Sequence, residues 1–161
     1  MKSLSNALLC LLLIGASACA QSAPPAIAKG VTEVVDFDES TWAQLLKSGP
    51  RPAAYLFTTS YCSSCPDAFE QLHRAVIHKE PAMPLAVVMM DMGGKQALRH
   101  ALHFQGLTQM YAFDGFEPAI RQSVDPTWPN VTPYIVLIDK KGRLQRSIGA
   151  PSAKALHAWL G

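Results

Sequence analysis

Two apolar runs, with a helical segment between them, constrain the fold of this chain most. The runs are PAAYLFTT, residues 52–59, and PLAVVMMDM, residues 84–92. Strands that are apolar along their whole length are buried on both faces of a sheet, as central parallel strands are. Residues 62–78, between them, carry apolar residues at helical spacing. The three segments predict a strand–helix–strand unit around a buried sheet.

The rest of the chain extends this alternation. A strand (VTEVVDF) and a helix (DESTWAQLLKSG) precede the unit, and a helix (94–106), a strand (107–114) and a short helix (116–124) follow it. VTPYIVLID and RLQRSIG, joined by KKG, predict a hairpin, and SAKALHAWL a terminal helix. We therefore expect an α/β protein with a central mixed sheet flanked by helices.

Residues 1–20 predict an export signal. Lys2 gives a positive start, and residues 7–14 (ALLCLLLI) are apolar but shorter than the about 20 residues of a membrane span. The small residues that follow allow processing after Ala18 or Ala20. The sequence thus predicts an exported, periplasmic protein.

A lipid anchor is the alternative reading of the same segment. ASAC would make Cys19 the lipidated first residue, although lipoboxes usually have Leu where this chain has Ala16. Residues 21–30 are rich in Ala and Pro and predict an extended tether. Residues 31–161 then form one domain with its own core.

Charge and cysteine content narrow the function further. A net charge of +2 without a basic run gives no indication of nucleic-acid binding. Of four cysteines, Cys10 and Cys19 belong to the signal segment, which leaves Cys62 and Cys65 to the domain.

The spacing of these two cysteines predicts different exposures. On a helix beginning near Cys62, an apolar stripe runs through Cys65, Phe69, Leu72 and Val76. Cys65 would face the core, and Cys62 would lie at the exposed first turn. This arrangement suits an attacking thiol and a resolving thiol.

The local charge predicts only a moderately stabilised Cys62 thiolate. The N-terminus of a helix favours an anion, but Asp67 opposes it, and residues 52–61 contain no cationic side chain. A weakly stabilised thiolate favours the disulfide form, as in a reductant.

The pair also allows a structural or a metal-binding role. A structural disulfide closing so short a loop would stabilise little, and zinc would need a second pair of ligands. Copper(I) on the two sulfurs stays open, because His100 and His103 share a helix face and MMDM supplies methionines at 89–92.

Pro133 marks a second constrained position. It opens the strand YIVLID, and a residue without an N–H fits only at the first residue or the edge of a strand. The Thr132–Pro133 bond is of the kind that can be cis.

These features resemble a known family. YCSSCP after a buried strand, VTPYIVLID, KKG and a closing helix are similar to the thioredoxin superfamily, over about residues 35–161. The segment LTQMYAFDGFEPAIRQSV resembles the exported TlpA/ResA-like thiol–disulfide oxidoreductases.

The resemblance implies roles for five residues. Cys62 would be the nucleophile and Cys65 the resolving thiol, with a cis Pro133 packed beside them. The Thr132 backbone would dock substrate, together with Tyr61, which replaces the usual Trp. No cofactor beyond the redox disulfide and no metal is implied. The implied partners are periplasmic proteins with cysteines and a membrane thiol electron donor.

The chain departs from the family pattern in places. Ser63 and Ser64 replace Gly-Pro, and Leu56 and Ala68 occupy positions where relatives keep an acid. Thr before the proline is also found in disulfide isomerases. Isomerase activity and copper handling therefore remain alternatives to reduction, and the substrate and the electron donor stay open.

Overall fold

The computed structural model describes residues 30–161. The predicted export signal, Cys19 and nearly all of the predicted tether lie outside the described residues. The strands are β1 Val34–Phe37, β2 Ala53–Thr58, β3 Leu85–Met89, β4 Gln109–Phe113, β5 Tyr134–Ile138 and β6 Leu144–Ile148. The helices are α1 Thr41–Ser48, α2 Cys65–Val76, α3 Gly94–His100, α4 Glu117–Val124 and α5 Ala153–Leu160, and a 3-10 turn, Ala101–His103, continues α3.

The described strands form one mixed sheet, as predicted. Their order is β1-β4-β3-β2-β5-β6, so β2 lies between β3 and β5. The neighbours β1–β4, β4–β3 and β3–β2 are parallel, whereas β2–β5 and β5–β6 are antiparallel. The four parallel strands therefore end at one common edge of the sheet.

Each face of the sheet carries its own apolar layer. Alternate residues of β2 point to opposite faces, and all six of its residues are buried. Leu56 joins a layer that includes Phe69 of α2 and Trp159 of α5. Phe57 joins the opposite layer, which includes Trp42 of α1 and Ile120 of α4. The continuous apolar run of β2 follows from this burial on both faces.

One predicted boundary is wrong. The helix that was expected to begin near Cys62 begins at Cys65, with Ser64 as its N-cap. Pro66 explains the difference, because proline has no N–H and its ring clashes with the carbonyl four residues earlier. That carbonyl belongs to Cys62, so a helix cannot include both residues in regular geometry. Proline is tolerated in the first turn, where Pro66 lies.

The turn between β5 and β6 is organised by a buried carboxylate. Asp139 accepts hydrogen bonds from the backbone N–H groups of Lys141 (2.8 Å) and Arg143 (2.9 Å), and from Nε of Arg143 (2.6 Å). The hydrogen bonds from Arg143 and Lys141 hold the pKa of Asp139 below its ordinary value of 3.8. Its charged form therefore stabilises the hairpin. Within residues 30–161, no helix is long and apolar enough to cross a membrane.

We expect Asp139→Asn to lower the denaturation midpoint at pH 7 and to lose this effect in acid. A carboxyl whose pKa is lowered in the folded state contributes stability above its unfolded pKa and loses it as the pH falls through the folded pKa. The gap between wild type and variant should thus narrow below about pH 4. Chemical denaturation across pH is the measurement. Glu80→Gln is the control, because it removes only an exposed ion pair to Lys140. A gap that persists unchanged in acid would contradict the argument.

Candidate functional site

The two cysteines lie where β2 passes into α2. Cys62 is in the turn after the strand and Cys65 is the first residue of the helix. They are joined by a disulfide, with their Cα atoms 5.5 Å apart. Cys62 is half-buried, and Cys65 is 1% exposed. The exposures agree with the apolar stripe in the sequence, although Cys62 precedes the helix instead of lying in its first turn.

The turn that carries Cys62 is held by short-range hydrogen bonds. The Cys62 N–H donates to the Thr59 carbonyl, and the Cys65 N–H donates to the Cys62 carbonyl, each at 3.2 Å. Ala68 N–H donates to the Ser64 carbonyl at 3.1 Å and starts the helical pattern. These bonds fix the direction in which the chain leaves the sheet.

Asp91 anchors the same turn from the neighbouring strand. It follows β3, and its carboxylate accepts from the Ser60 N–H at 3.0 Å and from the Ser60 hydroxyl at 2.6 Å. Parallel pairing of β2 and β3 brings the ends of the two strands together. In the sequence, MMDM indicated only a source of methionines, and Asp91 was not predicted to belong to the site. A carboxylate directly after a buried parallel strand was the available indication.

The environment behind Cys65 is apolar. Leu56, Ala68 and Phe69 belong to the apolar layer that contains Cys65. Among the described residues, Asp139 is the one buried charged side chain, and it lies in the β5–β6 turn. The pair therefore has no buried acid behind it, consistent with Leu56 and Ala68 standing where relatives of the resembled family keep one.

The structure brings the Thr132–Pro133 segment beside the cysteine turn. Tyr134 pairs with Phe57 in the antiparallel register of β5 and β2, which places the buried Pro133 next to the end of β2. The Thr132–Pro133 bond is cis, as the resemblance implied. The indole N–H of Trp128 donates to the Val131 carbonyl at 3.1 Å and fixes the approach to this segment.

One cavity connects the segment with the cysteine turn. It has a volume of about 460 Å³ and is lined by Thr59 and Tyr61 on one side and by Asn130, Val131 and Thr132 on the other. Met90, Asp91 and Glu117 complete its lining. Tyr61 is 80% exposed. Tyr61 and Thr132, two of the predicted substrate-binding residues, therefore line the same cavity.

A second cavity opens at the same turn. It has a volume of about 290 Å³, and Cys62 and Ser63 line it together with Pro66 of α2. His100 and His103 line the same cavity, with ring centroids 5.5 Å apart. The sequence placed this histidine pair on a helix face but did not place it beside Cys62.

The methionines considered for copper lie mainly in the core. Met89 is fully buried and Met90 nearly so, in keeping with their use as apolar filler. Across residues 30–161, no group of three or more His, Cys, Asp or Glu side chains is arranged to hold a metal ion. The described structure adds no support to the copper alternative.

Comparisons with known proteins give matches among solved structures. No family model and no curated protein matches the chain. A secreted disulfide oxidoreductase of Mycobacterium tuberculosis, homologous to E. coli DsbE, is 18% identical, with a TM-score of 0.48 over 68% of this chain and 80% of that one. StoA from Bacillus subtilis is 19% identical, with a TM-score of 0.45 over 69% and 83%. The thioredoxin domain of a thiol-disulfide oxidoreductase from Bacteroides vulgatus is 14% identical, with a TM-score of 0.46 over 67% and 75%.

The fold class follows from the topology of this chain itself. A parallel β2–α2–β3 unit carries the Cys-x-x-Cys pair at the start of its helix, and an antiparallel β5–β6 hairpin followed by α5 carries the proline. The fold is thioredoxin-like, which confirms the fold class that the sequence predicted.

We expect Asp91→Ala to lower the free energy of unfolding of the oxidised protein by about 1 kcal/mol, because hydrogen bonds to the Ser60 backbone and hydroxyl are lost. Urea denaturation measures the change. Asp114→Ala is the matched control: Asp114 follows β4 as Asp91 follows β3, and the described structure records no side-chain hydrogen bond for it. Equal losses in the two variants would show that Asp91 does not anchor the turn.

Proposed function

We propose that this chain is an exported thiol–disulfide oxidoreductase that reduces disulfides in periplasmic proteins through Cys62 and Cys65. The observation that carries the proposal is the disulfide between a cysteine that lines an open cavity and a cysteine that is buried beneath it. A structural disulfide has no need of an accessible sulfur, whereas an exchange reaction requires one.

The two exposures support an order for the steps. In the reduced protein, the Cys62 thiolate attacks a sulfur of the substrate disulfide, so that a Cys62–substrate bond forms and the substrate S–S bond breaks. Cys65 then attacks the Cys62 sulfur and releases the second substrate thiol. Two electrons pass from the cysteine pair to the substrate, and the two thiol protons follow. Because Cys65 is buried next to Cys62, the sulfur that it can reach is the Cys62 sulfur of the mixed disulfide.

The cavity beside Thr132 is the proposed docking place for the substrate. It lies directly against the turn that carries Cys62, because Thr59 and Tyr61 line it opposite Thr132. Exposed apolar side chains surround this edge of the molecule, namely Tyr61, Phe116 and Val131. Such groups suit contact with a polypeptide segment that carries the target disulfide.

Weak stabilisation of a Cys62 thiolate supports the reductive direction. Cys62 lies before the N-cap Ser64, so it is farther from the helix N-terminus than a first-turn residue. No Lys or Arg lines the cavity that Cys62 faces, among the described residues. A poorly stabilised thiolate makes the dithiol the better electron donor.

Export and recharging complete the proposed role. The positive start, the short apolar run and the small residues of 1–20 support export to the periplasm. A membrane thiol donor would return the Cys62–Cys65 disulfide to the dithiol after each turnover. Lipidation of Cys19 would place the domain near that donor, with residues 21–30 as the tether.

The first test is to trap the intermediate. We expect Cys65→Ser to accumulate a mixed disulfide through Cys62, since the resolving thiol is gone, and Cys62→Ser to accumulate none. Mass spectrometry after incubation with a disulfide-bonded protein substrate measures both variants. Trapping in Cys62→Ser instead would reverse the roles. Trapping in neither variant would overturn the proposed function.

The second test is the reduction potential of the pair. We expect a value near that of thioredoxin, about −270 mV, and well below the about −120 mV of a strong oxidant. Equilibration in redox buffers with alkylation of free thiols gives the potential. A value near the oxidising end would refute the reductive direction and favour oxidation or isomerisation.

A further inference from the structure

The cavity beside Cys62 is bounded on its far side by two histidines. His100 is the last residue of α3 and is half-buried, while His103 ends the following 3-10 turn and is exposed. Their ring centroids are 5.5 Å apart, and both rings line the cavity that Cys62 lines. Imidazole is the side chain that exchanges protons close to neutral pH.

Proton transfer on the buried side of the pair has no carrier. Leu56 and Ala68 pack in the layer that holds Cys65, and the one buried charged residue among those described, Asp139, lies in the distant β5–β6 turn. The disulfide exchange must still move two protons per substrate. The cavity that Cys62 lines is one route for them, and His100 and His103 border it.

The ionisable groups around the histidine pair are few. Tyr61 and Cys62 share the first cavity, and Arg99 lines the adjoining one together with both histidines. No Asp or Glu among the described residues lines either cavity.

Neighbouring elements add no carboxylate to these cavities. On α2, Asp67 is exposed and lines neither cavity, and the His73 ring lies against Gly106. On β1, which packs against α3, Asp36 is exposed and also lines neither. On β4, the other strand beside α3, Tyr111 packs in the opposite apolar layer. Asp91 lines the cavity on the Thr132 side and binds Ser60.

We propose that the His100–His103 pair is the proton carrier of the disulfide exchange, an inference that rests on the proposed function. The pair takes the proton of the Cys62 thiol, and the resulting thiolate attacks the substrate. When the substrate S–S bond breaks, the pair gives that proton to the substrate thiolate that is released. It then takes the Cys65 proton and passes it to the second substrate thiolate as the Cys62–Cys65 bond forms. Both thiol protons thus reach the two substrate thiols, and two electrons travel with the sulfur bonds.

The effect of a proton carrier depends on the basicity of the leaving thiolate. An alkyl thiolate is basic and leaves faster when it is protonated, whereas an aryl thiolate of low pKa leaves without a proton. Removing the proton carrier should therefore slow the reduction of an alkyl disulfide and spare that of an aryl disulfide. A purely electrostatic effect on the Cys62 thiolate would act on both equally.

The experiment compares two anionic probes. Glutathione disulfide is the alkyl disulfide, and dithiobis(nitrobenzoate) is the aryl disulfide. The full chain, reduced and freed of reductant, is mixed with each probe as wild type and as the double variant His100→Gln/His103→Gln. We expect glutathione disulfide to react about tenfold more slowly with the variant at pH 7, below the usual range for positioned acids because the cavity is open to water. Dithiobis(nitrobenzoate) should react within about twofold of the wild-type rate.

His157→Gln is the matched control, because it removes an exposed histidine of α5 that lines neither cavity. It should react like wild type with both probes.

The outcomes separate this inference from the function beneath it. A wild-type chain that reduces neither probe overturns the oxidoreductase proposal and the proton carrier with it. A wild-type chain that reduces both, with a double variant equally fast on both, leaves the function standing and overturns the histidine role. Equal slowing with both probes overturns it too, because it assigns the pair to stabilising the Cys62 thiolate.

Discussion

The position of β2 between a parallel and an antiparallel neighbour determines where everything else in the site lies. Its pairing with β3 brings Asp91 to the turn that follows β2, and its pairing with β5 brings Pro133 to the same end. Residues more than seventy positions apart in the chain thus meet at one edge of the sheet. The pairing is enforced by burial, since all six residues of β2 are covered on both faces and a one-residue slip would exchange the two apolar layers.

The site lies at the boundary between that apolar interior and the solvent. Cys65 is covered by the layer that contains Leu56 and Phe69, whereas Cys62 lines an open cavity. An apolar environment disfavours a charged thiolate, so the burial of Cys65 favours Cys62 as the sulfur that attacks first. Burial therefore imposes an order on two chemically identical groups, and the order is the mechanism that we propose.

Periodicity in the sequence was enough to predict the elements, but it could not give their meeting points. The buried strands and the mixed sheet could be predicted because continuous apolar runs report burial on both faces. The start of α2 was misplaced, since the apolar stripe was given more weight than the restriction that Pro66 puts on the Cys62 carbonyl. Asp91 and the histidine pair could not be assigned to the site, because their contacts depend on which strand lies beside which.

The two cavities at the turn that carries Cys62 are lined by different kinds of side chain. The cavity with Thr132 has backbone, Asp91 and Glu117 in its lining, and the cavity with His100 has imidazole rings and no carboxylate among the described residues. The proposed docking place and the proposed proton carrier therefore lie in separate cavities, both of which are bordered by Thr59 and Tyr61. The order of strands that brings Pro133 next to β2 on one flank and β3 on the other is thus also what separates docking from proton supply.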